Sequence, residues 1–229
     1  MNIVAIIPAR SGSKGLKNKN IYPVLKKPLI SWTFKQVNKS KLIKKIFVST
    51  DDLSIKNLSK KHNIEVISRP KKFCQDKSTS ESAIAHSIEV IKKNYKLIPD
   101  IVVFLQATSP LRKKHDIDNA IKNFINNKLD SLFSATKLND LCLWQTKNKK
   151  WKSINFDFNK RKPRQLMPEN YIENGSIYIF KPKILFNENN RLGGKIGVYL
   201  MDFWQSWEID TIEDIDLIEF YMKSKGLIK

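Results

Sequence analysis

Short apolar runs rich in β-branched residues recur along the 229-residue chain, at positions 3–7, 45–49, 65–67, 101–105 and 131–135. Between them lie amphipathic stretches of helical length, at 28–38, 53–62, 80–93 and 116–127. Strand alternating with helix in this way predicts an α/β layer structure with a largely parallel sheet. The runs at 4–7 and 101–105 are apolar without interruption, as expected of central strands buried on both faces. After about residue 137 the rhythm changes. Trp144 and Trp151 lie in two short strand-like pieces separated by the turn-prone Lys147, Asn148, Lys149 and Lys150, and a basic stretch follows as far as Arg164. This predicts a β-hairpin excursion over 138–163 within one domain spanning 1–229. The chain then returns to the sheet through 176–180 and 196–201 and finishes in a helix over 211–224. Thr211 is the expected cap, with Glu213 and Asp214 in the first turn.

Composition narrows the class. The N-terminal apolar run is too short to span a bilayer and has neither the basic start nor the cleavage site of a signal peptide, so a cytoplasmic protein without membrane association is expected. Cys74 and Cys142 are far apart and have no histidine at ligand spacing, which argues against a disulfide framework or a zinc site. Lys and Arg number 42 against 22 Asp and Glu, a formal net charge of +20. That excess would suit a polynucleotide, but no zinc finger, helix-turn-helix or aromatic-basic RNA signature accompanies it. The expectation is therefore no nucleic-acid partner, and a positive field that attracts small anionic substrates.

Three segments carry candidate chemistry. Directly after the first strand, Arg10, Ser11, Gly12, Ser13, Lys14, Gly15, Lys17 and Lys19 combine two glycines with several cations and hydroxyls. Glycine lets backbone N–H groups approach phosphate oxygens, and the cations neutralise their charge, so the segment reads either as an anion cradle or as a solvated basic turn. It has neither the P-loop spacing nor the GxGxxG fingerprint. After the central apolar strand come Gln106, Thr108, Ser109 and Pro110, which could orient a ligand or simply build the turn. Near the C-terminus, Glu208 and Asp210 stand two apart, so in an extended segment both carboxylates project from the same face. They read as magnesium ligands beside a phosphate loop, or, for Asp210, as a helix cap.

Taken in order, IPARSGSKGLKNKN (7–20), RP (69–70) followed by CQDKSTS (74–80), LQATSPLR (105–112), PRQLMP (163–168), NGSIYIF (174–180) and EIDTIEDID (208–216) resemble the acylneuraminate cytidylyltransferases, the CMP-sialic acid synthetases. Enzymes that activate legionaminic, pseudaminic or 3-deoxy-octulosonic acids share that architecture. The resemblance implies a Rossmann-like nucleotidyltransferase with a mostly parallel central sheet, and a homodimer whose intersubunit contacts come from the 138–163 excursion. It implies CTP and a nine-carbon 2-keto sugar acid as substrates, with Mg2+ held by Glu208 and Asp210. By the same resemblance, Arg10, Ser13, Lys14 and Lys19 match the triphosphate site and Asn20 borders the nucleotide. Arg69 and Ser80 match the cytidine side, whereas Gln106, Arg164, Gln165 and Tyr178 match the sugar-acid side. Arg10, Lys19 and Asp210 would carry catalysis. Two departures stand out: Glu208 occupies a position that is often Asp, and Ile172 and Glu173 precede the NG pair where some relatives have a basic residue. Arg191 or Lys195 is the candidate replacement for that cation.

Overall fold

A computed structural model describes residues 1–12, 15–75, 77–138 and 142–228, apart from the side chain of residue 164. The strands are β1 (Ile3–Pro8), β2 (Pro23–Val24), β3 (Lys27–Pro28), β4 (Lys45–Thr50), β5 (Glu65–Ser68), β6 (Ile101–Leu105), β7 (Ser131–Leu138), β8 (Trp144–Lys147), β9 (Lys150–Ser153), β10 (Asn170–Phe180) and β11 (Ile196–Met201). The α-helices are α1 (Leu29–Val37), α2 (Leu53–Lys61), α3 (Ser80–Tyr95), α4 (Asp116–Asn126), α5 (Pro182–Glu188) and α6 (Glu213–Ser224).

Seven strands form one sheet in the order β11-β7-β10-β6-β1-β4-β5. The pairs β1–β4, β1–β6, β4–β5 and β7–β11 are parallel, and β10 runs antiparallel to both β6 and β7. The predicted mostly parallel α/β sheet is therefore the observed one. The uninterrupted apolar runs in β1 and β6 follow from their central positions, which bury both faces. One face packs Ala5, Ile7 and Val103 against Phe34 of α1 and Ile121 and Phe124 of α4. The other packs Val4, Ile6 and Val102 against Ile84, Ile88 and Ile91 of α3, a spacing that puts all three isoleucines on one helical stripe. A third apolar cluster seats α6 through Ile215, Ile218 and Met222 on Val24, Leu29 and Leu111.

Two boundaries differ from the sequence expectation. The strand expected over 176–180 begins at Asn170, with a register shift between Glu173 and Tyr178 where Gly175 takes φ +64°. A glycine-bearing bulge breaks the alternation that would otherwise mark the longer strand. The last helix starts at Glu213, and Thr211 is not its side-chain cap. Instead the Asp214 carboxylate accepts from the Asp210 and Thr211 backbone N–H groups at 2.8 and 2.7 Å. A carboxylate in the first turn of the helix thus reaches back to two backbone donors that precede it.

The hairpin forms as β8 and β9, a separate two-stranded sheet joined through Asn148 and Lys149, both at positive φ. Trp144 packs its ring against Phe156 and Phe158, yet Trp151, Ile154 and Phe158 remain largely exposed.

Candidate active site

The carboxyl ends of β1 and β6 open into a cleft of about 400 Å³. Ligands of open α/β sheets bind at this end of the strands. The cleft brings together Arg10, Lys19, Asn20, Arg69, Ser80, Gln106 and Asp210, seven residues that the sequence singled out from five separate segments. Ser13 and Lys14 lie outside the described residues.

Its first wall is the glycine-containing loop after β1. Ser11 donates to the Asp51 carboxylate through its backbone N–H at 2.8 Å and its hydroxyl at 2.6 Å, and the Asn20 amide donates to the Arg10 carbonyl at 3.1 Å. Farther along, Leu16 N–H donates to the Asp210 carbonyl at 3.2 Å. Gly15 makes that approach possible, because a Cβ there would lie 2.5 Å from the same carbonyl oxygen. Lys19 Nζ meets Asp210 Oδ1 at 2.7 Å. The candidate phosphate cation and the candidate metal carboxylate therefore hold each other.

The second wall runs from β5 to α3. Arg10 Nη1 reaches across the cleft to the carbonyls of Cys74 and Gln75, at 3.2 and 2.8 Å. The Arg69 guanidinium is buried and donates to the Ser49 carbonyl at 2.7 Å and to the Ser49 hydroxyl at 3.1 Å. Burial pulls its pKa down, partly offset by Asp51. Ser80 opens α3, whose first turn is capped by the Thr79 hydroxyl accepting from Ser82 N–H at 3.2 Å. The exposed N–H groups of a helix start favour anionic oxygens on this side.

The third wall is formed by Gln106, Ala107 and Thr108 of the QATSPLR segment with Asp210, and Glu208 and the β10 bulge pack behind it. Ile209 N–H donates to the Thr108 carbonyl at 3.0 Å, and the Thr108 hydroxyl donates to Gln106 Oε1 at 3.2 Å. Glu208 is turned inward against Gly175, where a Cβ would fall 1.9 Å from its Oε1. Burial raises the Glu208 pKa and the nearby Asp210 charge raises it further, while Lys19 and Arg112 oppose both. Asp210 is open, with a side chain 71% exposed. The Asp210 carboxylate accepts from Lys19, and α6 has no side-chain cap among the described residues.

Beneath this wall lies Arg112, fully buried and brought down to a pKa of about 9 by that burial. Its guanidinium donates to the Ser176 carbonyl at 2.7 and 3.2 Å, the Gln106 carbonyl at 2.7 Å, Thr33 Oγ1 at 3.2 Å and Gln36 Oε1 at 3.1 Å. It ties the end of β6 and the middle of β10 to α1 and so fixes the backbone that presents Gln106.

The family model for cytidylyltransferases matches residues 4–223. This chain belongs to the cytidylyltransferase family. It is accordingly a CTP-dependent nucleotidyltransferase. The cytidylyltransferase is 32% identical over 232 aligned positions to Post-translational flagellin modification protein B of Campylobacter coli, covering 98% of this chain and 97% of that protein. It is 31% identical, with the same coverage, to the CMP-N,N'-diacetyllegionaminic acid synthase of Campylobacter jejuni. Identity to the N-acylneuraminate cytidylyltransferase of Escherichia coli is 29% over 94% of this chain, which spans 51% of that longer protein. Among solved structures, a CMP:2-keto-3-deoxy-manno-octonic acid synthetase complexed with CTP shares the fold, with a TM-score of 0.72 at 16% identity over 98% of this chain and 100% of that one.

Two expected sugar-side residues of the cytidylyltransferase, Gln165 and Tyr178, are not among the residues that line the cleft. Gln165 sits exposed in the short helical turn Arg164–Leu166, and the Arg164 side chain lies outside the described residues. Tyr178 is 2% exposed and stacks on Phe104 with ring centroids 5.3 Å apart. Its hydroxyl donates to Glu173, and burial together with that carboxylate pushes the phenol pKa up. Of the two candidate replacement cations, Arg191 lies over the Tyr178 ring, 4.2 Å from its centroid. Lys195 instead donates to the Asn127 carbonyl at 2.8 Å.

Sequence reasoning missed Asp51 and the bracing role of Arg112. Asp51 follows β4, the parallel neighbour of β1, so a carboxylate there faces the loop leaving β1. Arg112 closes a motif that the sequence did single out, but its burial was invisible without the fold.

Proposed function

We propose that this cytidylyltransferase joins CMP from CTP to a nine-carbon 2-keto sugar acid, N-acetylneuraminic acid or a relative such as legionaminic acid, and releases pyrophosphate. The cleft that gathers Arg10, Lys19 and Arg69 beside Gln106 carries the reading, because it offers cations for a triphosphate next to a polar wall for a sugar. The relatives named for legionaminic acid and N-acylneuraminate support this substrate class. In the reaction, the anomeric 2-hydroxyl oxygen bonds to the α-phosphorus of CTP as the bond to the β-phosphate oxygen breaks. The hydroxyl proton leaves to solvent and no covalent enzyme intermediate forms.

Catalysis of this kind rests on positioning and charge stabilisation. Arg10 and Lys19 neutralise the triphosphate and the departing pyrophosphate, with Ser13, Lys14 and Asn20 completing the loop. Arg69 and Ser80 hold the cytidine side, and Gln106 orients the sugar. We assign Arg164 and Gln165, which follow the excursion in sequence, to the acid's side of the site, and the excursion itself to the homodimer contact. The carboxylate pair suits magnesium, which is commonly held by one or two carboxylates together with substrate phosphates. Asp210 is open, and its repulsion of Glu208 is a penalty that a divalent cation relieves. Magnesium bound there would neutralise phosphate charge and act as a Lewis acid at the α-phosphate. We place the reaction in the cytoplasm.

The test is to incubate purified protein with Mg2+, CTP and a panel of sialic, legionaminic, pseudaminic and 3-deoxy-octulosonic acids, measuring pyrophosphate and CMP-sugar together, with ATP and UTP as nucleotide controls. The expected result is CTP-selective formation of a CMP-nonulosonic acid. No CMP-sugar from any of these acids would refute the reading.

A further inference from the structure

The structure covers the tyrosine that the sugar-side motif offers. Tyr178 is 2% exposed, its hydroxyl is committed to Glu173, one side of its ring stacks on Phe104, and a guanidinium lies over the ring. That guanidinium is Arg191, whose side chain is 21% exposed and packs behind Phe104 and beside Glu81 rather than lining the cleft itself. It also lies 5.5 Å from the centroid of Phe104, and Phe104 lines the cleft. Its Nη1 pairs with Glu81, the neighbour of cleft-lining Ser80.

The loop that presents Arg191 is pinned on both sides. Asn190 Oδ1 accepts from Leu192 N–H at 3.0 Å, and Gly193 exchanges two bonds with the Ser131 hydroxyl, at 2.7 and 3.0 Å. Stacking on a tyrosine face and pairing with Glu81 hold the guanidinium plane. Arg191 Nε is nevertheless buried without an acceptor among the described residues. A buried donor left unpaired is costly, and a ligand oxygen that satisfies it after a small side-chain rotation gains accordingly. Glu173, exposed on the same wall, repels a second anion and so favours one orientation of an acidic ligand.

We propose that Arg191, rather than Tyr178, is the group on this wall that meets the sugar acid and reads its carboxylate. Tyr178 serves as the platform that positions Arg191. This rests on the substrate reading given above and assigns the cation that Ile172 and Glu173 do not supply.

The experiment compares wild type, Arg191→Ala, Arg191→Lys and Tyr178→Phe with the preferred sugar acid and with its C1 methyl ester. Arg191→Ala should raise the KM for the acid roughly 10- to 100-fold, the scale of a lost charge-assisted hydrogen bond, with little change in KM for CTP. It should also erase the preference for the acid over the ester, since the ester has no charge to read. Arg191→Lys should recover part of the loss, and Tyr178→Phe should leave the preference intact. The inference is overturned if Arg191→Ala keeps both the KM and the acid-over-ester preference, or if Tyr178→Phe abolishes that preference while Arg191→Ala does not. A fall in melting temperature with equal effects on acid and ester would make Arg191 purely structural and would also overturn it. If wild type converts none of the acids, the substrate reading itself fails and this inference falls with it.

Discussion

Asp210→Asn separates two roles for a carboxylate at the start of a helix, because the geometry gives each a different magnitude. The substitution keeps the side chain's size and removes its charge. Among the described residues α6 has no side-chain cap, and the Asp210 ion pair with Lys19 involves a carboxylate side chain that is 71% exposed. Exposed pairs are worth about 0–1 kcal/mol, and in a domain of this size 1 kcal/mol moves Tm by about 2–4 °C. The variant should therefore melt within about 4 °C of wild type. Turnover should respond on another scale. Losing a group that organises charge around the reacting phosphate costs about 2.7 kcal/mol or more, which is at least about a hundredfold in rate. Removing a negative charge also leaves Lys19 free and the cleft more cationic, so CTP should bind no more weakly when magnesium is absent. The assay is pyrophosphate release against magnesium concentration, paired with thermal melting and metal-free CTP titration. Near-normal turnover with an unchanged magnesium response would reject the metal role. Unfolding with a proportionate loss of activity would return Asp210 to a structural one.

The buried carboxylate beside it predicts a pH signature. The folded pKa of Glu208 is raised above the ordinary value of 4.5, by burial first and the Asp210 charge second, so its contribution to stability is lost as pH rises through that folded value. Glu208→Gln should accordingly be more stable than wild type at pH 8, with the gap closing below about pH 4.5; a variant less stable at every pH refutes the assignment. Arg112→Met removes a buried cation whose acceptors cannot all find new donors, and should cost about 3–5 kcal/mol in urea unfolding. A loss under about 1 kcal/mol would show that the brace is dispensable. The exposed Trp151, Ile154 and Leu166 around the excursion, together with Ile196 and Leu200 on edge strand β11, form apolar surface that a second copy would cover. Light scattering should give twice the chain mass, and a fully active monomer would dismiss the dimer.

The alternation of apolar runs with amphipathic helices was enough to specify an α/β protein, because strands buried on both faces and helices buried on one leave different periodicities in a sequence. Glycines among cations also drew attention to the loop after β1, where the structure gives Gly15 a different reason, the close passage of the Asp210 carbonyl. What the tertiary structure decided is which groups meet. Lys19 and Asp210 are 191 residues apart and form an ion pair only because α6 and the first loop dock on the same end of the sheet. Asp51 and Arg112 carry no motif of their own. Their roles arise from β4 lying beside β1 and from β10 entering antiparallel between β6 and β7, which brings the Ser176 carbonyl to the buried guanidinium. The burial of Tyr178 beneath Arg191 has the same origin. Strand pattern places the tyrosine on the correct face, but only the path of the loop after α5 determines what covers it.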